Sequence, residues 1–115
     1  LAKKPYSFIR RRDKMKNSLY KSREKIMKAM AHASRLLILD LLSKGEKCVC
    51  EIVPAVGVDT STVSKHLSVL RNAGLIQDEK RGLNVYYRLS CPCVIEYIEC
   101  IENNVKHTQE MNGEQ

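Results

Sequence analysis

The segment from Asp59 to Gly74 carries signals for both ends of a single helix, and it constrains the fold more than any other part of the chain. Asp59 supplies a side-chain oxygen for the free N–H groups of a first turn. Gly74 can take the left-handed conformation that closes a helix. Between them Val63, Leu67 and Leu70 recur at i, i+4 and i+7, which gives one apolar stripe to bury. Thr60, Ser61, Ser64, Lys65, Ser68 and Arg71 fall on the opposite face, all of them hydrogen-bond donors and none a carboxylate. Such a face suits a groove lined by phosphates and base edges. His66, on the same helix, is read as a DNA or packing contact. An ordinary surface helix would show much of this pattern, so the neighbouring segments decide its meaning.

Upstream, Ser34 is expected to cap a helix that runs through the apolar Leu36–Leu42 stretch to Lys44 and stops at Gly45. Glu46 to Val49 reads as a short extended piece. A second short helix, from Glu51 to Val56, follows with Cys50 at its cap, and Gly57-Val58 turns the chain into the Asp59 helix. Downstream, Leu75–Glu79 and Leu83–Leu89 form a hairpin around Lys80-Arg81-Gly82. In its second strand Leu83, Val85, Tyr87 and Leu89 alternate with Asn84, Tyr86 and Arg88, the period of a half-buried strand. The order predicts a mainly α fold with a small β-hairpin, a winged helix-turn-helix. Its recognition helix enters the major groove while Lys80 and Arg81 at the wing tip reach sugar–phosphate.

From Met27 to Leu89 the chain resembles the ArsR/SmtB family of dimeric winged-helix repressors. The residues that carry the likeness are Ala31 to Leu36, Glu46 to Ile52, Thr62 to Leu67, Leu70-Arg71, Ala73 to Leu75 and Val85 to Leu89. The resemblance implies a homodimer that sits on double-stranded operator DNA and leaves when an inducer binds. Two departures stand out. Ala33 occupies a place where the family often has proline, and Pro54 falls inside the short helix, where its ring should kink or shorten it.

At 115 residues the chain is read as one domain with a modest core, which a dimer interface would enlarge. Its net charge of +7 is unevenly placed. Residues 1–28 hold eleven Lys or Arg against Asp13 and Glu24, about +9, and the remainder sums to about −2. Residues 1–21 are taken as a basic arm and the start of the first helix. Such an arm suits phosphate contacts with a steep salt dependence, although a solvated helix face or a disordered tail would have the same composition. Residues 22–107 form the winged helix-turn-helix domain with a C-terminal dimerisation helix, and 108–115 a disordered tail. Leu19, Ile26, Met27 and Met30 give the first helix an apolar side for the dimer interface. No stretch has the length of a membrane span and no signal peptide is visible, so the expected location is cytoplasmic.

Five cysteines, an odd number, in a DNA-binding protein are expected to be reduced thiols rather than a disulfide framework. They form two clusters, Cys48 with Cys50 and Cys91 with Cys93 plus Cys100. Cys50 and Cys91 are expected at helix starts, where exposed N–H groups favour a thiolate. Thiolates select soft ions: As(III) first, with Cd(II), Pb(II) or Cu(I) as alternatives. Neither pair encloses a His or Asp, which argues against a dedicated zinc or nickel sensor.

Cys48-Val49-Cys50 resembles the arsenic- and cadmium-sensing motif of the family. The third cysteine common in that motif is Val53 here, and residues 1–47 contain no cysteine. The last helix, Pro92 to Lys106, shows a heptad-like stripe of Val94, Ile98, Ile101 and Val105. Beside it run Cys93, Tyr97, Cys100, Asn104 and His107. The family resemblance implies ions bound across paired last helices, with Cys91 and Cys93 in the first two ligand positions and Asn104 and His107 in the later ones. Cys100 compensates for Asn104. On one helix Cys93 and Cys100 stand roughly 10 Å apart, so an antiparallel partner would have to bring Cys100 of a second subunit close.

Two functions stay open. One is a repressor released when cysteine thiolates bind a soft metal or metalloid; the other is a repressor of the same fold that responds to thiol oxidation or persulfide. His32 is read as structural, and His107 near the chain end is assigned no role. No phosphate-cradling glycine loop, carboxylate pair or Cys–His constellation appears, which argues against an enzyme.

Overall fold

The computed structural model describes residues 10–113. Among the described residues five helices accompany a small sheet: α1 (Arg10–Met30), α2 (Ala33–Ser43), β1 (Lys47–Cys48), α3 (Val49–Val56), α4 (Thr60–Asn72), β2 (Ile76–Arg81), β3 (Asn84–Leu89) and α5 (Val94–Gly113). The sheet is antiparallel in the order β1-β3-β2. The hairpin is therefore the larger part of a three-stranded wing, whose third strand is the extended piece before α3.

Apolar spacing explains the core. Val63, Leu67 and Leu70 of α4 are fully buried against Ile38 and Leu39 of α2, Ile52 of α3 and Ile76 of β2. Ala29 and Met30 bring the end of α1 onto this cluster, and Val94 does the same for α5. Tyr87 and Leu89 close it from the wing, partly buried. Among the described residues no helix is long and apolar enough to cross a membrane.

Several boundaries differ from the sequence expectations. His32, not Ser34, caps α2: its backbone is extended and its Nδ1 accepts the Ser34 N–H at 3.1 Å, an imidazole in place of a hydroxyl. Cys48, not Cys50, caps α3. Strand pairing with Tyr86 holds Cys48 extended, so the helix starts at Val49. Pro54 lies inside α3 and leaves the Cys50 carbonyl without its helical donor, yet the helix continues to Val56. Gly57, at φ 83°, then ends it in the left-handed conformation.

The wing also departs in detail. β2 extends through Arg81, which pairs with Asn84, so Lys80 and Arg81 are strand residues and Gly82-Leu83 make the turn. Leu83 is 100% exposed there, outside the apolar alternation assigned to it. α5 begins at Val94, after a turn in which the Val94 N–H reaches the Cys91 carbonyl at 3.1 Å; Pro92 is therefore not its first residue. It continues to Gly113, so most of the stretch expected to be a frayed tail is helical. The first nine residues of the basic arm lie outside the described residues, as do Glu114 and Gln115.

Candidate nucleic-acid interface and cysteine pairs

Asp59 organises the start of α4. Its carboxylate accepts the Thr62 N–H at 3.2 Å, the Thr62 hydroxyl at 2.6 Å and the Ser61 hydroxyl. These bonds hold the Asp59 carboxyl down to about 2. The cap leaves Thr60, Ser61, Ser64, Lys65 and Arg71 exposed while Val63, Leu67 and Leu70 point inward. The donor face read from the sequence is thus solvent-facing except at Ser68, which is partly buried.

His66 does not belong to that face. It is only 8% exposed, three positions after Val63 and therefore on the buried side. Its ring centroid lies 4.4 Å from that of His32. Arg35 Nη1 stands 3.3 Å from His66 Nδ1, and since a guanidinium only donates, Nδ1 accepts. Arg35 also donates through Nε to the Ala29 carbonyl at 2.6 Å, which joins the end of α1, α2 and α4. Burial, with the charges of His32 and Arg35, pushes the His66 pKa below its ordinary value. Of the two roles read for His66, DNA contact or packing, its burial favours packing and takes it off the exposed face.

Two basic residues of the candidate interface are already paired. Arg71 Nη1 lies 3.0 Å from Asp78 Oδ2. Arg81 forks onto Glu46 at 2.6 and 2.9 Å, reaches Glu79 at 2.8 Å, and lies 4.7 Å over the Tyr86 ring. Lys65 and Lys80 take part in none of the ion pairs among the described residues. Glu46, thirty-five positions before Arg81, carried no sequence signal of this role.

The cysteines divide sharply. Cys48 and Cys50 are joined in a disulfide, with Cα atoms 5.2 Å apart, within the range a disulfide spans. The expectation of reduced thiols fails for this pair, and in the bonded form neither sulfur is a thiolate ligand. The Cys48 sulfur also accepts the Cys50 N–H at 3.0 Å, while Glu51 accepts the Cys48 N–H at 3.0 Å, a reciprocal cap on α3.

Cys91, Cys93 and Cys100 are free and exposed. The Cys91 and Cys93 sulfurs approach to 3.1 Å. The hydrogen bond from that contact, together with the Cys91 charge, pushes the Cys93 thiol up. Cys100 sits about two turns along α5. Among the described residues no three His, Cys, Asp or Glu side chains gather as a metal site. Beside Cys91 and Cys93 opens a cavity of about 340 Å³ between α1, the turn after α4 and the start of α5.

A family model described as bacterial regulatory protein, arsR family, matches residues 32–78. The solution structure of a homodimeric winged helix-turn-helix DNA-binding domain from Mycobacterium bovis, titled a possible ArsR-family transcriptional regulator, superposes with TM-score 0.72 at 31% identity. The match covers 84% of this chain and 89% of that one. This chain belongs to the ArsR family. Among its ArsR-family relatives, the arsenical resistance operon repressor of Escherichia coli is 44% identical over 66 residues, 56% of each chain. An HTH-type transcriptional regulator of Mycobacterium tuberculosis is 39% identical over 66 residues, 57% of this chain. The chain spans only 29% of that regulator's length. For this ArsR-family protein the matched region contains the whole of α4 and the Cys48–Cys50 pair, and ends before the wing turn and Cys91.

Proposed function

We propose that this protein is a cytoplasmic, homodimeric repressor that binds operator DNA through α4 and the wing. It leaves the operator when cysteine thiolates take up a soft metalloid ion, As(III) first and Cd(II) or Pb(II) after it. The observation that carries the DNA-binding part is the exposed donor face of α4, with Thr60, Ser61, Ser64 and Lys65 opposite a buried apolar stripe. Lys80 extends the same chemistry to the wing. Dimerisation is supported by apolar side chains left exposed on α1 and α5: Leu19, Met27, Tyr97, Ile101 and Val105. The relatives named for DNA binding and arsenical resistance point the same way.

Sensing is assigned to Cys91 and Cys93, whose sulfurs are free, exposed and 3.1 Å apart. Cys100 of a partner subunit supplies a third thiolate for an ion that needs one. One observation favours a second reading. The Cys48–Cys50 disulfide sits at the cap of α3, the first helix of the helix-turn-helix, so oxidation and reduction there would act on the DNA-binding unit directly.

Release of labelled operator by arsenite separates the two. On the first reading Cys91→Ser with Cys93→Ser abolishes release from the reduced protein, and peroxide or polysulfide has no effect on wild type. On the second, the Cys48→Ser, Cys50→Ser protein ignores oxidants and the double variant at 91 and 93 still responds to them.

A further inference from the structure

We propose that Ser61 reads a base of the operator as a hydrogen-bond acceptor whose polarity is fixed by Asp59, so that one position of each half-site is held to a base with an amino group on its major-groove edge. This rests on the reading of α4 as the recognition helix and names what one of its residues reads.

Ser61 lies in the first turn of α4 with its side chain exposed. The N-terminal residues of a recognition helix are the ones that reach base edges. A serine hydroxyl ordinarily says little about a base, because its one proton rotates to suit a donor or an acceptor alike. Here that proton has a fixed destination. An ionised carboxylate only accepts, so the hydroxyls of Ser61 and Thr62, the latter at 2.6 Å, must both donate to Asp59. Because the Asp59 carboxyl is held down to about 2, this arrangement persists across the neutral pH range. Thr62 is partly buried, whereas Ser61 stays open and turns only oxygen lone pairs outward. Among the described residues no such bond ties the hydroxyls of Thr60 or Ser64 to Asp59.

The major groove sorts bases on this distinction. Adenine N6 and cytosine N4 carry amino donors, where thymine O4 and guanine O6 are acceptors. An amino group that donates to Ser61 Oγ extends a chain running through the hydroxyl to Asp59. Every bond in it points the same way, and bonds so arranged strengthen one another. A keto oxygen in that place meets lone pairs unless the hydroxyl abandons Asp59, which exchanges a charge-assisted bond for a neutral one about half as strong. A phosphate is also a poor partner, since its charge would approach that of Asp59. Ser61 is therefore the exception on the donor face of α4: it discriminates adenine or cytosine from guanine or thymine on the strand it touches.

The full chain and its variants select half-sites from a random duplex library. Affinities for the selected operator and its single base-pair changes are then measured by fluorescence anisotropy. Wild type is expected to hold adenine or cytosine at one position of each half-site, about tenfold over guanine or thymine. Ser61→Ala should level that position alone. Asp59→Gly keeps a competent helix cap and frees the Ser61 proton, so it should tolerate guanine or thymine there while ratios at other positions stay as in wild type. A general rise in affinity from the lost charge leaves those ratios untouched. A selected adenine replaced by purine, or cytosine by 2-pyrimidinone, lacks the amino group; this should cost wild type about tenfold and Ser61→Ala nothing. Circular dichroism verifies that α4 persists in both variants. If Asp59→Gly keeps the wild-type ratio at that position, or flattens all positions equally, Asp59 is a cap alone and the proposal is overturned. A Ser61→Ala protein that selects the wild-type sequence, while Ser64→Ala with Lys65→Ala loses it, overturns this proposal and leaves α4 as the recognition helix. A wild-type protein that selects no sequence overturns both.

Discussion

Arg81 of the wing and Glu46 before β1 meet through two hydrogen bonds of 2.6 and 2.9 Å, so a candidate phosphate-binding cation is already held by a carboxylate. Both side chains remain partly exposed, and an exposed pair of this kind is worth only about 0–1 kcal/mol. A DNA phosphate can compete for the guanidinium. Glu46→Gln is expected to strengthen operator binding several-fold and to steepen the salt dependence of affinity, because less carboxylate must be displaced. Arg81→Ala should weaken binding to all sequences and flatten the salt slope by about one phosphate contact. Fluorescence anisotropy over a salt series measures both. An unchanged slope in Arg81→Ala would show that the residue is a strut of the wing and touches no phosphate.

Ser64→Ala combined with Lys65→Ala should abolish specific operator binding while the thermal transition stays within a few degrees of wild type. Both side chains are exposed and neither takes part in the cap at Asp59. Footprinting of the double variant at the wild-type operator decides the matter, and normal protection there would remove α4 from the major groove.

Replacing Ile101 and Val105 with Asp should produce monomers that no longer hold the operator. Both are about half exposed on α5, so the charges do not disrupt the protomer's own core. Ile98, in the same heptad-like stripe, packs against that core and is the poorer choice. Buried unpaired carboxylates at an interface are costly, and a lone winged helix makes half the contacts. Sedimentation and operator binding are read on one preparation; a dimeric variant with full affinity would move the interface away from this stripe.

Acidification should destabilise the fold through His66. An unfolded His66 takes up its proton near 6.5, whereas burial and the neighbouring His32 and Arg35 charges depress its pKa in the folded chain. The unfolded state then binds more protons, so stability falls as pH drops through 6.5 and levels off below the folded value. The Tm of His66→Gln should lose that step. If wild type and variant decline in parallel below 6.5, another group is responsible.

What the sequence made legible was local. Asp59 and Gly74 bracket one helix, and the Val63–Leu67–Leu70 spacing names its buried side without knowledge of any partner. His66 had a usable signal too, since it lies three residues after Val63, but a polar side chain on a recognition helix draws the reading outward. The misplaced cap at Cys50 has a tertiary cause: Cys48 is extended because β3 pairs with it, and β3 lies nearly forty residues downstream. Glu46 with Arg81 is of the same kind. The Cys91–Cys93 contact follows from two-residue spacing, whereas the cavity beside it needs α1, α4 and α5 already in place.

The two-residue length of β1 limits how this region can be altered. Lys47 faces Tyr87 and Cys48 faces Tyr86, with Cys48 buried and Lys47 less so. Adding or deleting one residue between Gly45 and Cys48 would reverse the faces and exchange a buried sulfur for an ammonium group. It would also carry Glu46 away from Arg81. The turn at Gly82-Leu83 has no such counterpart, since Leu83 touches nothing in the core. Length changes should therefore be tolerated by the fold at the wing tip and rejected at β1, although an insertion at Leu83 would stand beside Lys80 and Arg81 and obstruct the wing's proposed contact with DNA.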